Sequence, residues 1–237
     1  MLNNQKICCI ITARKNSKGL VGKNLKKING RPLIYFSINA AKNSKHVDKV
    51  FFNSDCKKMI KIAKKYGATT NFIRPKNLSQ STTKSVDVLL HHINTDSLEN
   101  EYQYILLLEP TSPLTTSADI DNAIKKLIRL KDKANSLVSV SESTTPSSFL
   151  SFYKNKYLIK ITGKKSFYTT RRQDFPKRYY IDGSLYLTKI KSLKKFKSFI
   201  QDKTTFITLE RYKNFQIDDF LDYKIVKFLY NQFSKSK

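Results

Sequence analysis

Apolar positions along the chain follow two rhythms, and the rhythms alternate. Short unbroken runs closed by polar residues predict buried strands at residues 6–12, 49–53, 104–108 and 136–140. The run YILLL at 104–108 has no charged position, as expected of a strand covered on both faces. A further short strand is predicted at 70–74. Between these runs, apolar residues recur at helical spacing. Helices are predicted over 32–43, with Pro32 near the first turn, and over 57–66, closed by Gly67. Two more are predicted over 85–93, starting near Thr82 or Thr83, and over 117–130, capped by Ser117 with Asp119 and Asp121 near its start. Strand and helix in repeated alternation predict an α/β fold, a three-layer, mostly parallel, doubly wound sheet.

The alternation stops after residue 141. Residues 142–180 are rich in Ser, Thr, Tyr and Lys and contain Pro146 and Pro176. They read as a protruding, β-rich arm within a single domain spanning residues 1–237. Strand character returns at 183–188 and 204–209, and 219–233 reads as a terminal amphipathic helix. No apolar run approaches the roughly 20 residues that span a bilayer. The first residues lack an apolar stretch long enough for a secretion signal. A cytoplasmic protein is therefore expected, with Cys8, Cys9 and Cys56 as buried thiols that lack metal-ligand spacing.

The net charge of +27 changes this picture only in part. It invites a nucleic-acid-binding reading. The lysines, however, are scattered from end to end, and no nucleic-acid motif accompanies them. A basic surface equally attracts small acidic molecules, so nucleic acid is the less favoured partner.

Candidate chemistry lies in the loops. After the first strand comes Ala13-Arg14-Lys15-Asn16-Ser17-Lys18-Gly19, then Lys23-Asn24. Cations, small hydroxyl and amide groups, and glycine suit a polyphosphate, which needs positive charge and free backbone N–H groups. The loop lies at the carboxyl end of the first strand, where open α/β sheets bind ligands. A second segment, Leu108-Glu109-Pro110-Thr111-Ser112-Pro113-Leu114, is a proline-stiffened turn bearing hydroxyls. A third runs from Arg172-Gln173-Asp174 to Asp182-Gly183-Ser184-Leu185-Tyr186. A fourth is Phe215-Gln216-Ile217-Asp218-Asp219.

In this order and spacing, the four segments resemble the acylneuraminate cytidylyltransferase family. This family comprises the CMP-sialic acid synthetases and their relatives for bacterial nonulosonic acids such as legionaminic acid. Asn29-Gly30-Arg31-Pro32-Leu33-Ile34 and Arg74-Pro75 add to the likeness, which runs over essentially the whole chain. The resemblance implies transfer of CMP from CTP to the anomeric hydroxyl of an acidic nine-carbon 2-keto sugar, with Mg²⁺ as cofactor and pyrophosphate released. It also implies a homodimer formed through the arm. By the same resemblance, Arg14, Ser17, Lys18, Lys23 and Asn24 would hold the triphosphate, and Arg74 and Ser85 the cytidine portion. Arg14, Lys23 and Asp218 would be catalytic, and Asp218 a magnesium ligand. Glu109, Arg172, Asp182, Tyr186 and Phe199 would face the sugar.

Simpler readings stand beside these. Arg74 also suits a surface ion pair, Tyr186 and Phe199 suit packing, and Asp218-Asp219 suits a helix start. The chain departs from the family at three positions. Glu109 stands where glutamine is usual, Gln216 replaces the first acid of an Asp-x-Asp pair, and Asp182 stands where asparagine is frequent. An ionised carboxylate accepts hydrogen bonds and donates none, so Glu109 and Asp182 favour a sugar rich in donors or cationic groups. Activation of ketodeoxyoctonate or pseudaminic acid is the neighbouring enzyme reading.

Overall fold

Odd and even positions of the first strand face different cores. In Ile7–Ala13 (β1), Ile7, Cys9, Ile11 and Ala13 join one buried cluster, whereas Cys8 and Ile10 join another. Tyr104–Leu108 (β5) divides likewise: Tyr104, Leu106 and Leu108 on one face, Ile105 and Leu107 on the other. This period of two, with apolar residues on both sides, produces a sheet between two helical layers. The computed structural model describes residues 5–17, 19–143 and 177–233, with the backbone of 151–154 and 157–160.

The first layer holds Leu33–Lys42 (α1), Lys57–Lys65 (α2) and Ser117–Leu130 (α4), which supply Ile34, Ile38, Met59, Ile120, Ile124 and Leu127 to the larger cluster. The second holds Ser85–Thr95 (α3) and Ile190–Phe196 (α5), which supply Leu89, Ile93, Ile190 and Leu193. The sheet also contains Lys49–Ser54 (β4), Ser136–Glu142 (β6), Tyr179–Lys189 (β9) and Thr204–Thr208 (β10), in the order β10-β6-β9-β5-β1-β4. β1 pairs in parallel with both β4 and β5, and β10 in parallel with β6. β9 alone runs antiparallel, inserted between β5 and β6. Two residue pairs, Lys27–Ile28 (β2) and Arg31–Pro32 (β3), form a small ribbon before α1. A third cluster, containing Leu20, Ile28, Leu33, Phe36, Leu114 and Ile217, is closed by Val226 of Phe220–Phe233 (α6).

The α/β sheet is thus as expected, with differences in detail. Residues 70–74 form no strand; the residue before them, Thr69, makes an isolated parallel bridge to Phe51. The chain there turns across the end of β4 instead of pairing along it. The cap of α4 is Thr116 rather than Ser117. Its hydroxyl accepts from the Asp119 N–H at 3.3 Å, and the Asp119 carboxylate accepts from the Thr116 N–H at 2.9 Å. α3 begins at Ser85, after Lys84, not near Thr82. Cys8 and Cys9 are buried, but Cys56, just before α2, is only half-buried. Ser151–Lys154 (β7) and Tyr157–Lys160 (β8) pair antiparallel in a sheet of their own. The rest of the proposed arm between 144 and 176 lies outside the described residues. Among those described, no helix is long and apolar enough to cross a membrane.

Replacing Thr116 by Ala removes one half of the reciprocal cap. Urea unfolding should then show a loss of about 1 kcal/mol with an unchanged denaturant slope.

Candidate functional site

The carboxyl ends of β1 and β5 open onto one cleft of about 390 Å³. Its floor is the β1 end, Thr12 to Arg14, and its walls are Arg74, the 80–85 segment, Glu109–Thr111 and Asp218. Each cation is seated on neutral oxygen. Arg14 donates a terminal N–H to the Gln80 carbonyl at 3.0 Å. Lys23 Nζ donates to the Ile217 carbonyl at 2.9 Å and pairs with Asp218 Oδ1 at 3.1 Å. Arg74, 6% exposed, donates Nε–H to Asn53 Oδ1 at 2.7 Å and a terminal N–H to the Asn53 carbonyl at 2.6 Å.

The loop's own shape is set by small residues and one buried amide. Asn24 is buried and donates to the Arg14 carbonyl at 3.1 Å, which folds the loop back on the strand end. Gly22 has a left-handed φ of 66°, and Gly19 lies so close to the Asp218 carbonyl that any Cβ would collide with it. The glycine therefore lets the loop touch the C-terminal segment. The Ser17 and Thr111 hydroxyls, both in the cleft, are buried with no partner among the described residues. Buried hydroxyls are normally satisfied, so this pair marks where a ligand's acceptors would sit.

The carboxylates have distinct surroundings. Asp218 is exposed at the lip of the cleft, while Asp219 and Asp222 cap α6 by exchanging hydrogen bonds at 2.9 and 3.0 Å. The helix-start reading therefore fits Asp219, and Asp218 is left for the cleft. Glu109 is half-buried and accepts from the Ser85 hydroxyl at 3.3 Å. Burial pushes its pKa up, and Asp218 adds to this, against the pull of Ser85 and Lys23. Arg74 is pushed down to about 10 by burial, with Arg14 adding and Asp55 opposing.

Thus Arg14, Ser17, Lys23, Asn24, Arg74, Ser85, Glu109 and Asp218 line one cleft. Asp182, Tyr186 and Phe199 do not. The Asp182 carboxylate is 4% exposed and accepts from the Ser139 and Ser141 hydroxyls and the Ser184 N–H, which places it inside the β6–β9 pair. Tyr186 packs on Phe199 with ring centres 5.0 Å apart, and Phe199 belongs to the core beneath α3 and α5. The Tyr186 hydroxyl is raised to about 12, by burial first and then by Glu109 and Asp182. Gln216 donates its amide to the Asp182 carbonyl beside Gly183. Lys18 and Arg172 lie outside the described residues. The sequence reading passed over the wall formed by Gln80, Ser81 and Thr83. The signal was there in Ser79-Gln80-Ser81-Thr82-Thr83, a hydroxyl and amide run between Pro75 and α3.

Among known proteins, the family described as cytidylyltransferase matches residues 8–224. The chain belongs to the cytidylyltransferase family. Cytidylyltransferases are nucleotidyltransferases, and this chain is one of them. It is 31% identical over 225 residues to post-translational flagellin modification protein B of Campylobacter coli, covering 94% of each chain. It is 31% identical over 223 residues to pseudaminic acid cytidylyltransferase of Campylobacter jejuni, covering 94% of this chain and 95% of that one. CMP-N,N'-diacetyllegionaminic acid synthase of the same species is 30% identical over 228 residues, covering 94% of both. A solved CMP:2-keto-3-deoxy-manno-octonic acid synthetase complexed with CTP superposes with a TM-score of 0.68 at 15% identity, covering 96% of this chain and 99% of that one. At that identity the match establishes the cytidylyltransferase fold alone.

One consequence of the cleft's back wall can be measured without a ligand. His92 is 1% exposed, between Asn53 and Asp96, and burial lowers its pKa from 6.5 to about 4; His91 and Arg74 add to this and Asp96 opposes it. A lowered folded-state value means that the unfolded chain binds the extra proton first. Its contribution to stability is therefore complete above pH 6.5 and is lost as pH falls toward 4. Across that window, stability should fall more steeply for wild type than for His92→Phe. The difference in slope should approach one proton, about 1.4 kcal/mol per pH unit. Denaturant titrations at several pH values read it, and parallel slopes would contradict the assignment.

Proposed function

We propose that the protein transfers CMP from CTP to the anomeric hydroxyl of an acidic nine-carbon 2-keto sugar and releases pyrophosphate. The convergence of Arg14, Lys23 and Arg74 in one cleft of a cytidylyltransferase carries this reading. The names of the full-length relatives, two of them for pseudaminic and legionaminic acids, support a nonulosonic acid as acceptor, with pseudaminic acid the first to test.

In this reading the sugar oxygen forms a bond to the α-phosphorus as the bond from that phosphorus to the bridging oxygen breaks. The electron pair leaves with pyrophosphate, and the hydroxyl proton passes to solvent. Arg14 and Lys23 lie where negative charge grows on the leaving group, and the loop's Ser17 and Asn24 hold its shape and donors around it. Arg74 and Ser85 take the cytidine portion. The exposed Asp218 carboxylate fits Mg²⁺, which commonly uses one or two carboxylates and otherwise substrate phosphates and water. No three His, Cys, Asp or Glu side chains cluster for a metal among the described residues. When bound, Mg²⁺ supplies charge neutralisation at the phosphate oxygens. Glu109 faces donor-rich substituents of the sugar from the wall of the cleft.

The protein also acts as a cytoplasmic homodimer in this reading. Exposed Tyr179, Tyr180 and Ile181 at the start of β9 offer apolar surface for such a contact. Sedimentation should give twice the chain mass, and a monomer at micromolar concentration would reject this part.

Pyrophosphate release from CTP and Mg²⁺ should be measured with pseudaminic, legionaminic, sialic and ketodeoxyoctonic acids. Release is expected with at least one nine-carbon acid, with CTP far ahead of other nucleoside triphosphates. Lys23→Ala should lower kcat/KM by about 100-fold or more. Glu109→Gln should re-rank the sugars. Absence of release with every acid rejects the reading. Salt-steep binding to DNA or RNA in its place would support the nucleic-acid alternative.

A further inference from the structure

Behind the cleft, a line of hydrogen bonds runs through residues to which the mechanism gives no role. Asn71 Nδ2 donates to Asp96 Oδ2 at 2.8 Å. The same oxygen lies 3.2 Å from His92 Nε2, and His92 Nδ1 lies 3.1 Å from Asn53 Nδ2. Asn53 then accepts twice from Arg74. His92 is held edge-on by Phe51 and Phe72, with ring centres at 5.3 and 4.9 Å.

The partners dictate the direction of every bond. A guanidinium only donates, so the side-chain atom of Asn53 facing Arg74 is its oxygen. The Asn53 amide nitrogen therefore faces His92 and donates, and Nδ1 must be the bare, accepting nitrogen. The ring proton is then on Nε2 and goes to the Asp96 carboxylate. This is the neutral imidazole, which its burial also favours.

An asparagine side chain is nearly symmetric in shape. Rotated by half a turn, Asn53 would fit the same space but aim N–H groups at the N–H groups of Arg74. Only a one-sided partner can choose between the two orientations. Arg74, which only donates, is one such partner, and His92 Nδ1, bare and accepting, is the other, so the orientation is held from both sides.

We propose that His92 is a positioning residue for the nucleotide: by fixing the orientation of Asn53, it holds the Arg74 guanidinium ready in the cleft. The proposal rests on the reading that Arg74 takes the cytidine portion of CTP. Asp96 acts one step further back, by keeping the ring proton on Nε2.

The test is steady-state kinetics with CTP, Mg²⁺ and the best sugar acid. His92→Phe keeps a ring between Phe51 and Phe72 but removes the acceptor. Its KM for CTP should rise about tenfold while kcat stays within about twofold, as for a contact made equally in ground and transition states. The KM for the sugar should not move. In an Arg74→Ala background, His92→Phe should add nothing to the KM for CTP, because the two act as one unit. Asp96→Ala is the second variant should His92→Phe fail to fold, with a smaller rise in the same direction, about threefold.

Full additivity of His92→Phe with Arg74→Ala, or an unchanged KM for CTP in a folded His92→Phe, overturns the proposal. The nucleotide reading survives if Arg74→Ala alone weakens CTP. If Arg74→Ala leaves the KM for CTP at the wild-type value, the assignment of Arg74 falls and this proposal with it.

Discussion

Ile217 is where distant parts of the chain are made to meet. Its side chain is fully buried with Leu20, Ile28, Leu33, Phe36 and Leu114. Its N–H donates to the Thr111 carbonyl at 2.9 Å, and its carbonyl receives the Lys23 ammonium at 2.9 Å. One residue thereby joins the loop after β1, the turn after β5 and the segment before α6. Its neighbours inherit their places from this pin. Gln216 is carried to the Asp182 carbonyl, and Asp218 is carried to the lip of the cleft beside Lys23. Gly19 completes the closure, since only a residue without a Cβ can sit against the Asp218 carbonyl.

The cleft is electropositive for a reason different from the basic surface as a whole. Arg14, Lys23 and Arg74 are all seated on carbonyl or amide oxygens. Neutral acceptors fix a cation's position without cancelling its charge. Among the described residues, only Lys23 of the three also meets a carboxylate, and that carboxylate is largely in water, where screening weakens the pair. The scattered surface lysines set a long-range field, but these seated cations supply direction and distance. A polyanionic ligand needs both.

The sequence made the sheet legible because burial on two faces leaves few polar positions, as in β5, and because Gly67 and Pro32 mark helix ends plainly. The loop after β1 was legible as a lining of the cleft, since cations, glycine and small hydroxyl or amide groups following a buried strand form a pattern of residue types. Other features depend on tertiary contacts that local pattern does not carry. Tyr186 and Phe199 sit in strand and loop patterns compatible with a pocket, yet they pack on each other beneath α3 and α5. Asp182 reads as a site carboxylate, yet three donors from β6 and β9 enclose it. The antiparallel course of β9 was hidden for the same reason. Its apolar alternation is identical in either direction, and only its neighbours decide which way it runs.

That course has a consequence for how the chain comes together during synthesis. β1, β4 and β5 find one another within the first 108 residues. β6 is made next, but its partners, β9 and β10, end at residues 189 and 208. As the chain emerges, β6 has no strand on either side. β5 meanwhile presents an open edge that β9 alone is built to close. The interval until residue 189 is translated is when this protein is most exposed to edge-to-edge association with other chains. Chaperone dependence should therefore be concentrated in the second half of translation.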